Sequence, residues 1–281
     1  MTTRRHPLLV IVALGFLALT GACSHTDRAQ QQVQHGDNNA PGDTIIVQPD
    51  SCVTKDGIPA GAQKLIKAYP EMTISYEDNH IIVNGERIPY DDGKKKSFVE
   101  LLDNSDVEDM FAMAYDITVP QPAYLSDAGR SRCEALFKAM YGHSEAEVAR
   151  HLVTVDWFGQ KLKFTSINGA YRQLKNVEQE LQGNTALRSY FAQSSTFYWR
   201  KVRGAKRQSA HSYGMTIDIN AASSDYWQWA NPRKGELDKI SYKNRIPMEI
   251  VKAFEKHGFI WGGRWYHFDT MHFEYRPELL P

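Results

Sequence analysis

The sequence predicts an α+β fold, in which a small mixed or antiparallel sheet is flanked by helices. Segments with apolar residues at helical spacing mix with short segments of alternating polarity. No regular strand–helix–strand repeat, which would indicate a parallel sheet, runs along the chain. The 281 residues, 42% of them hydrophobic, suffice for one or two domains with a sizeable core.

The first 22 residues have the pattern of a secretion signal. Two arginines, Arg4 and Arg5, precede an apolar run from Leu8 to Leu19, which is too short to span about 30 Å of hydrocarbon comfortably. The residues up to Cys23 resemble a bacterial lipoprotein cleavage site. We therefore expect export to the cell envelope, with a lipid on Cys23 anchoring the protein in the periplasm. A plain signal peptide with an incidental cysteine is the alternative.

Residues 23–50 are predicted to form a flexible linker, because they are rich in Gln and Asn and hold few large apolar side chains. Two cysteines lie beyond it, Cys52 and Cys133. An oxidising compartment would let them form a disulfide, whereas two buried thiols are the alternative.

Residues 51–152 are predicted to be a supporting region, since no set of metal ligands and no nucleophile with a base occurs there. Two strands are expected around a turn at 77–79, and Asn84-Gly85 is a further turn signal. The spacing of apolar residues predicts helices over 60–69, 98–102, 107–115, 132–141 and 145–152.

Residues 153–281 are predicted to be the catalytic domain. A strand pair is expected over 154–164, with its turn at Gly159. Helices are predicted over 170–181 and 248–257, and strands over 197–202 and 215–219.

The segment from Ser209 to Asn220 holds the first candidate site residues. In the predicted strand, Asp218 lies on a polar face opposite Ile217 and Ile219. Gly214 permits a sharp turn before that strand, which would fold His211 back towards Asp218.

A second segment near the carboxyl terminus holds Asp269 and His272, three residues apart. On one helical turn the two side chains would point to the same side. If a strand begins at His272, Glu274 would share its face.

These residue types suit a hydrolytic zinc site. Catalytic zinc typically has three protein ligands and one open position for water, and two imidazoles with one carboxylate meet that count. A further carboxylate must accept the proton of the water and pass it to the leaving amine. Asp269 is the candidate for that base.

The two segments resemble the bacterial peptidoglycan zinc peptidases, which include D-alanyl-D-alanine carboxypeptidases and L-alanyl-D-glutamate endopeptidases. Their motif Ser-x-His-x-x-Gly-x-Ala-x-Asp is matched by Ser209, His211, Gly214 and Asp218, while Thr216 stands at the alanine position. The run from Phe268 to Glu274 resembles the family branch that has aspartate as base. The resemblance is specific over roughly residues 195–280, and in a looser form it extends upstream through Asp127-Ala128-Gly129-Arg130 and Met140-Tyr141-Gly142.

The resemblance implies that His211, Asp218 and His272 bind zinc and that Asp269 is the general base. It also implies an arginine that stabilises the oxyanion, for which we choose Arg200 over Arg172, because periodicity places Arg172 in a helix. Ser209 and Glu274 are assigned to substrate binding or to support of the ligands, with a surface salt bridge as the alternative for Glu274.

The expected substrate is a peptidoglycan stem peptide, and the sequence leaves carboxypeptidase and endopeptidase activity both open. The chain has 33 basic and 33 acidic residues, so no positive balance indicates a nucleic-acid partner. A catalytically silent zinc protein of the same fold, binding the wall or a protein, is one alternative. A serine hydrolase using Ser209 or Ser212 with His211 is disfavoured, because no G-x-S-x-G elbow surrounds either serine.

Overall fold

A computed structural model describes residues 57–281 of the chain. The signal segment, Cys23, the linker and Cys52 lie outside the described residues. Cys133, the expected partner of Cys52, has a buried free thiol whose pKa is raised by burial. The disulfide therefore stays a prediction. Within the described part, no helix has both the length and the apolar character that a membrane crossing requires.

The described residues begin with a helix and a three-stranded antiparallel sheet. The two strands expected around residues 77–79 are present, and the Asn84-Gly85 turn leads into a third. The elements are α1 (Ala60–Ala68), β1 (Ile74–Glu77), β2 (His80–Val83), β3 (Glu86–Pro89) and α2 (Phe98–Asp103). Helix α2 begins at a capping box, in which Ser97 and Glu100 satisfy each other's backbone N–H groups.

A second group of elements follows the first along the chain. It comprises α3 (Glu134–Tyr141), α4 (Glu145–Arg150), the antiparallel pair β4 (Leu152–Trp157) and β5 (Gln160–Thr165), and α5 (Ala170–Leu181). The turn of the hairpin lies at Gly159, as predicted. Buried residues of α5 at helical spacing, Leu174, Val177 and Leu181, face the core.

The third sheet carries the candidate ligands. Its strands are β6 (Thr216–Asp218), β7 (Phe259–Trp261) and β8 (His272–Tyr275), in the order β6-β8-β7 with antiparallel pairing. The short helix α6 (Trp227–Ala230) and the longer α7 (Met248–Lys256) lie in the connection between β6 and β7. Helix α7 buries Ile250, Val251 and Phe254, and Phe254 stacks on Phe273 of β8 at 3.9 Å between ring centroids.

The predicted supporting and catalytic regions share one hydrophobic core. It includes Leu65 and Val83 from the first region and Trp157, Phe254 and Phe273 from the second. The observed mixture of helices and small antiparallel sheets agrees with the α+β prediction.

Two predicted elements are wrong. The helix expected over 107–115 is a single 3-10 turn, Glu108–Phe111. Asp106 and Asp109 each accept a hydrogen bond from the other's backbone N–H, which competes with regular helical bonding. The strand expected over 197–202 is absent, since the Ser212 hydroxyl binds both the backbone N–H and the carbonyl of Arg200 in place of a partner strand.

Gly214 lies at the turn that connects His211 to β6. Its φ is +65°, and a Cβ atom there would come within 2.3 Å of the Leu152 Cδ2 atom. An alanine would therefore meet both backbone strain and a steric clash.

We expect Gly214→Ala to lower the free energy of unfolding by about 2–4 kcal/mol in urea titrations. Gly159→Ala is the matched control, because Gly159 also has a positive φ, +84°, but no atom lies within 4 Å of the position that a Cβ would take. The control isolates the backbone strain, about 1–2 kcal/mol. Equal losses in the two variants would contradict the predicted clash with Leu152.

Candidate metal centre

Three side chains with metal-binding groups converge where β6 meets β8. Asp218 and His272 are directly opposite each other in the antiparallel ladder, and His211 lies in the 3-10 turn Ala210–Tyr213 just before β6. One ligand atom from each of the three residues lies within 4.8 Å of the others. The imidazole rings of His211 and His272 are 5.0 Å apart between centroids.

His211 is oriented by a backbone carbonyl. Its Nδ1 atom lies 2.6 Å from the Thr196 carbonyl oxygen, which only accepts hydrogen bonds, so Nδ1 carries the proton. The Nε2 atom then faces Asp218, at 3.1 Å from Oδ2. This tautomer leaves the Nε2 lone pair directed into the cluster.

His272 is oriented by a carboxylate, which holds its Nε2 atom, whereas His211 is held by its Nδ1 atom. Its Nε2 atom lies 2.9 Å from Glu274 Oε1, and its Nδ1 atom lies 2.8 Å from Asp218 Oδ1. Glu274 is fully buried and accepts hydrogen bonds from Arg132 at 3.1 Å and Arg276 at 3.3 Å. Burial alone would raise the pKa of Glu274, but Arg132, His272 and Arg276 lower it to about 2.

A cation fits between these ligands. Burial would favour a neutral His272, yet the Asp218 and Glu274 carboxylates raise its pKa to about 10, so the two anions strongly favour positive charge here. Two imidazole nitrogens and a carboxylate oxygen match the ligands of catalytic zinc. A hydrogen bond from each histidine to a group outside the cluster is the usual support for such ligands.

Asp269 lines the same cleft and is positioned by a turn. The His272 N–H donates to the Asp269 carbonyl at 3.2 Å, so the two residues flank a tight turn before β8 and not the helical turn that the sequence suggested. The Asp269 Oδ1 atom is buried and has no hydrogen-bond partner among residues 57–281. Burial and then the Asp218 charge raise the pKa of Asp269 to about 7.

Neither serine is placed as a nucleophile. Ser212 is fully buried, and its hydroxyl binds the backbone of Arg200. Ser209 is buried at the edge of the cleft, where its N–H donates to the Arg200 carbonyl at 3.0 Å. Both His211 nitrogens are engaged by Thr196 and Asp218, which leaves neither for a serine hydroxyl.

The two candidate arginines lie in different places. Arg200 lines the cleft together with His211, Asp269 and His272. Arg172 is in α5, is exposed and forms an ion pair with Glu71, and it does not line the cleft. The structure therefore places Arg200, but not Arg172, in the cleft that contains the candidate metal centre.

A largely buried ionic network lies beside the cleft, where the sequence indicated only the looser resemblance at Asp127 to Arg130. His267 Nδ1 lies 2.6 Å from Asp127 Oδ2, Arg130 donates to Asp127 at 2.7 Å, and Arg130 binds both Glu236 oxygens at 3.0 Å. Arg130 and Arg132 also line the cleft. Arg130 and Arg132 thus contribute to the cleft from the predicted supporting region, while the division of the chain into supporting and catalytic regions stays a prediction.

The site was accessible to sequence reasoning only where a motif marks it. Arg132 reaches the site through the packing of a distant segment, whereas Arg276 lies two residues after Glu274, and no local spacing around either arginine indicates a ligand set. Glu274 is fully buried and lies 2.9 Å from His272 Nε2, which agrees with the ligand-supporting interpretation and not with a surface salt bridge.

Comparison with known proteins supports the resemblance that the sequence indicated. Residues 203–275 match the model of a family described as D-alanyl-D-alanine carboxypeptidase. The match spans the three candidate ligands and Asp269, and it confirms a resemblance to the peptidoglycan zinc peptidases. No curated protein and no solved structure gives a significant match.

We expect the purified chain to bind one zinc ion tightly, and His272→Ala to lose it, because only two of the three ligands remain. Elemental analysis after dialysis against a weak chelator measures the bound zinc. His143→Ala is the control, since His143 is exposed and pairs with Glu86 away from the cleft. Equal zinc in His272→Ala and wild type would contradict the assigned ligand set.

Proposed function

We propose that this protein is a zinc peptidase that hydrolyses a peptide bond in peptidoglycan stem peptides, as a carboxypeptidase or an endopeptidase. The observation that carries the proposal is the Asp269 carboxylate, whose buried Oδ1 atom has no partner among residues 57–281, in the same cleft as His211, Asp218 and His272. The cleft has a volume of about 850 Å³, within the range of sites that hold drug-sized ligands. The family match over residues 203–275 supports the class of substrate.

In this proposal His211, Asp218 and His272 hold the zinc. When bound, zinc supplies a Lewis acid that polarises the substrate carbonyl and lowers the pKa of a water molecule towards about 7. Thr196 and Glu274 keep the two imidazoles in the tautomers that direct a lone pair to the metal.

Asp269 moves the proton. Its Oδ1 atom accepts a proton from the attacking water and then donates it to the nitrogen of the leaving amine, whose bond to the carbonyl carbon breaks. A carboxyl group whose pKa burial has raised into the neutral range suits both steps. Arg200 supplies a positive charge from the cleft wall for the oxygen anion that develops on the carbonyl.

A catalytically silent zinc protein that binds the wall is the other candidate. The Asp269 Oδ1 atom argues against it, because a pure binding protein gains nothing from a buried carboxylate oxygen without a hydrogen-bond partner, which costs stability. Cleavage assays decide between the two candidates, and mass spectrometry of defined muropeptides after incubation identifies the bond that is cut.

We expect Asp269→Asn to retain zinc and to lower turnover by about 10²-fold or more, because the amide keeps the size of the side chain and removes the proton acceptor. Release of muropeptide products followed by mass spectrometry gives the rate. Asp78→Asn, in the exposed turn between β1 and β2, is the matched control. Wild-type turnover in Asp269→Asn would show that another group is the base, and a zinc-loaded wild type without any cleavage would favour the silent protein.

We expect Arg200→Gln to reduce kcat by about 10²- to 10³-fold without loss of zinc, the scale for removal of one oxyanion partner. Arg172→Gln should cleave at the wild-type rate, because it removes only an exposed ion pair with Glu71. If Arg172→Gln were the slower variant, the assignment of Arg200 would be wrong.

A further inference from the structure

Asp127 and His267 form a buried pair beside the cleft that the proposed mechanism does not use. Asp127 Oδ1 accepts the backbone N–H of His267 at 3.0 Å, and Asp127 Oδ2 lies 2.6 Å from the His267 Nδ1 atom. Burial would raise the pKa of Asp127, but Arg130 and His267 lower it, so the carboxylate is ionised and Nδ1 carries the proton. One carboxylate therefore holds both the backbone and the side chain of His267.

The His267 side chain is enclosed and does not present a polar atom to a substrate. It is 0% exposed, although the residue borders the cleft. Its Nε2 atom is buried and lies 3.6 Å from Glu236 Oε2, which is too far for a hydrogen bond. The ring packs against Phe98, Trp227 and Tyr266, at 5.7, 4.7 and 5.0 Å between ring centroids. Any effect of His267 on a reaction in the cleft must therefore pass through another residue.

The backbone around His267 leads directly to Asp269, and hydrogen bonds hold it at successive residues. The Asp127 carboxylate supplies the bond at His267 itself. The neighbouring bonds run from Tyr266 N–H to the Ser126 carbonyl at 2.9 Å, from Trp227 N–H to the Phe268 carbonyl at 2.8 Å, and from Asp269 N–H to the Gly262 carbonyl at 3.0 Å. Residues 266–269 are thus held by contacts with three other segments of the chain.

The orientation of the Asp269 carboxylate depends on this backbone. Its Oδ1 atom has no hydrogen-bond partner among residues 57–281, and the carboxylate interacts with the backbone of Met271 in the same turn. Because its support comes from the backbone, a shift of residues 266–269 would move the carboxylate with them.

Packing alone does not account for an ionic pair at this place. Replacing a buried ion pair by apolar groups of similar volume is often neutral or stabilising. His267 already lies among aromatic rings, where a phenyl ring of similar size would be accommodated. The pair supplies direction in addition, since a carboxylate that receives two N–H groups of one residue fixes both the position and the rotation of that residue.

We propose that Asp127, through His267, positions the Asp269 carboxylate for proton transfer, so that Asp127 and His267 are positioning residues of the site. The inference rests on the proposed peptidase function and adds to it the support of the base. A displacement of a reacting group by about 1 Å can lower a rate by about 10²-fold.

Two variants of His267 separate positioning from packing. His267→Phe keeps a ring of similar volume and removes the Nδ1 donor, whereas His267→Asn loses the ring and keeps an amide N–H near the position of Nδ1. We expect His267→Phe to lower kcat by about 10- to 10²-fold at unchanged KM, and His267→Asn to recover most of that loss. Rates are taken per bound zinc, which only folded protein retains. An unchanged kcat in His267→Phe, a change confined to KM, or a faster His267→Phe than His267→Asn would overturn the proposal.

His257→Phe is the matched control, because it also removes a histidine–carboxylate pair, with Glu180 at 3.0 Å, but lies outside the cleft. It should cleave at the wild-type rate, and a loss equal to that of His267→Phe would overturn the proposal. In an Asp269→Asn background, His267→Phe should cause no further loss, since both changes act on the same step. Additive losses would show that His267 acts independently of Asp269, which also overturns the proposal.

A spectroscopic measurement separates this inference from the function on which it rests. In the zinc-loaded chain labelled with carbon-13 at the aspartate carboxyl groups, the Asp269 resonance is the one that disappears in Asp269→Asn. We expect His267→Phe to shift this resonance, His267→Asn to return it towards the wild-type position and His257→Phe to leave it in place. An unmoved resonance in His267→Phe overturns the positioning role even if the wild type cleaves muropeptides. A shifted resonance supports it even if the wild type cleaves nothing, in which case the peptidase function alone fails.

Discussion

The candidate metal centre depends on the register of two short antiparallel strands. Asp218 and His272 are paired residues of β6 and β8, so the backbone ladder fixes their separation. Side chains alternate between the two faces of a strand, and a slip by one residue would send a ligand to the opposite face. Strand pairing, and the core that holds it, is therefore the constraint from which the ligand geometry follows.

Burial of charged groups behind the ligands connects this sheet to the rest of the chain. Arg276 is fully buried and pairs with both Glu274 and Glu278. Glu274 holds His272, and Glu278 accepts a hydrogen bond from Tyr69, the residue after α1. Removing one member would leave an uncompensated charge in the interior, which is costly. Tyr69 and Glu278 are 209 residues apart in sequence. Through this contact the amino-terminal elements contribute to the orientation of His272.

Sequence reasoning predicted the parts of the structure that local rules determine. The helices at α1, α5 and α7 and the β4–β5 hairpin follow from periodicity and turn residues, and the turn at Gly214 brings His211 to Asp218 as its backbone freedom suggested. The rules failed where side chains take over backbone hydrogen bonds, as Ser212 does at Arg200. They also could not reveal Arg132 or the Asp127–His267 pair, because these contacts join segments 140 or more residues apart.

The order of the strands determines where this fold tolerates insertions and substitutions. The connection from β6 to β8 contains α6, the loop with Arg233 and Lys234, α7 and β7, while the paired ends of β6 and β8 stay fixed by the ladder. Loops tolerate insertions and substitutions far better than paired strands do. New sequence can therefore enter this connection and remodel one wall of the cleft while the ligand pair remains in register. The fold thus separates a ligand pair whose geometry the ladder fixes from a cleft wall whose sequence can vary without disturbing that geometry.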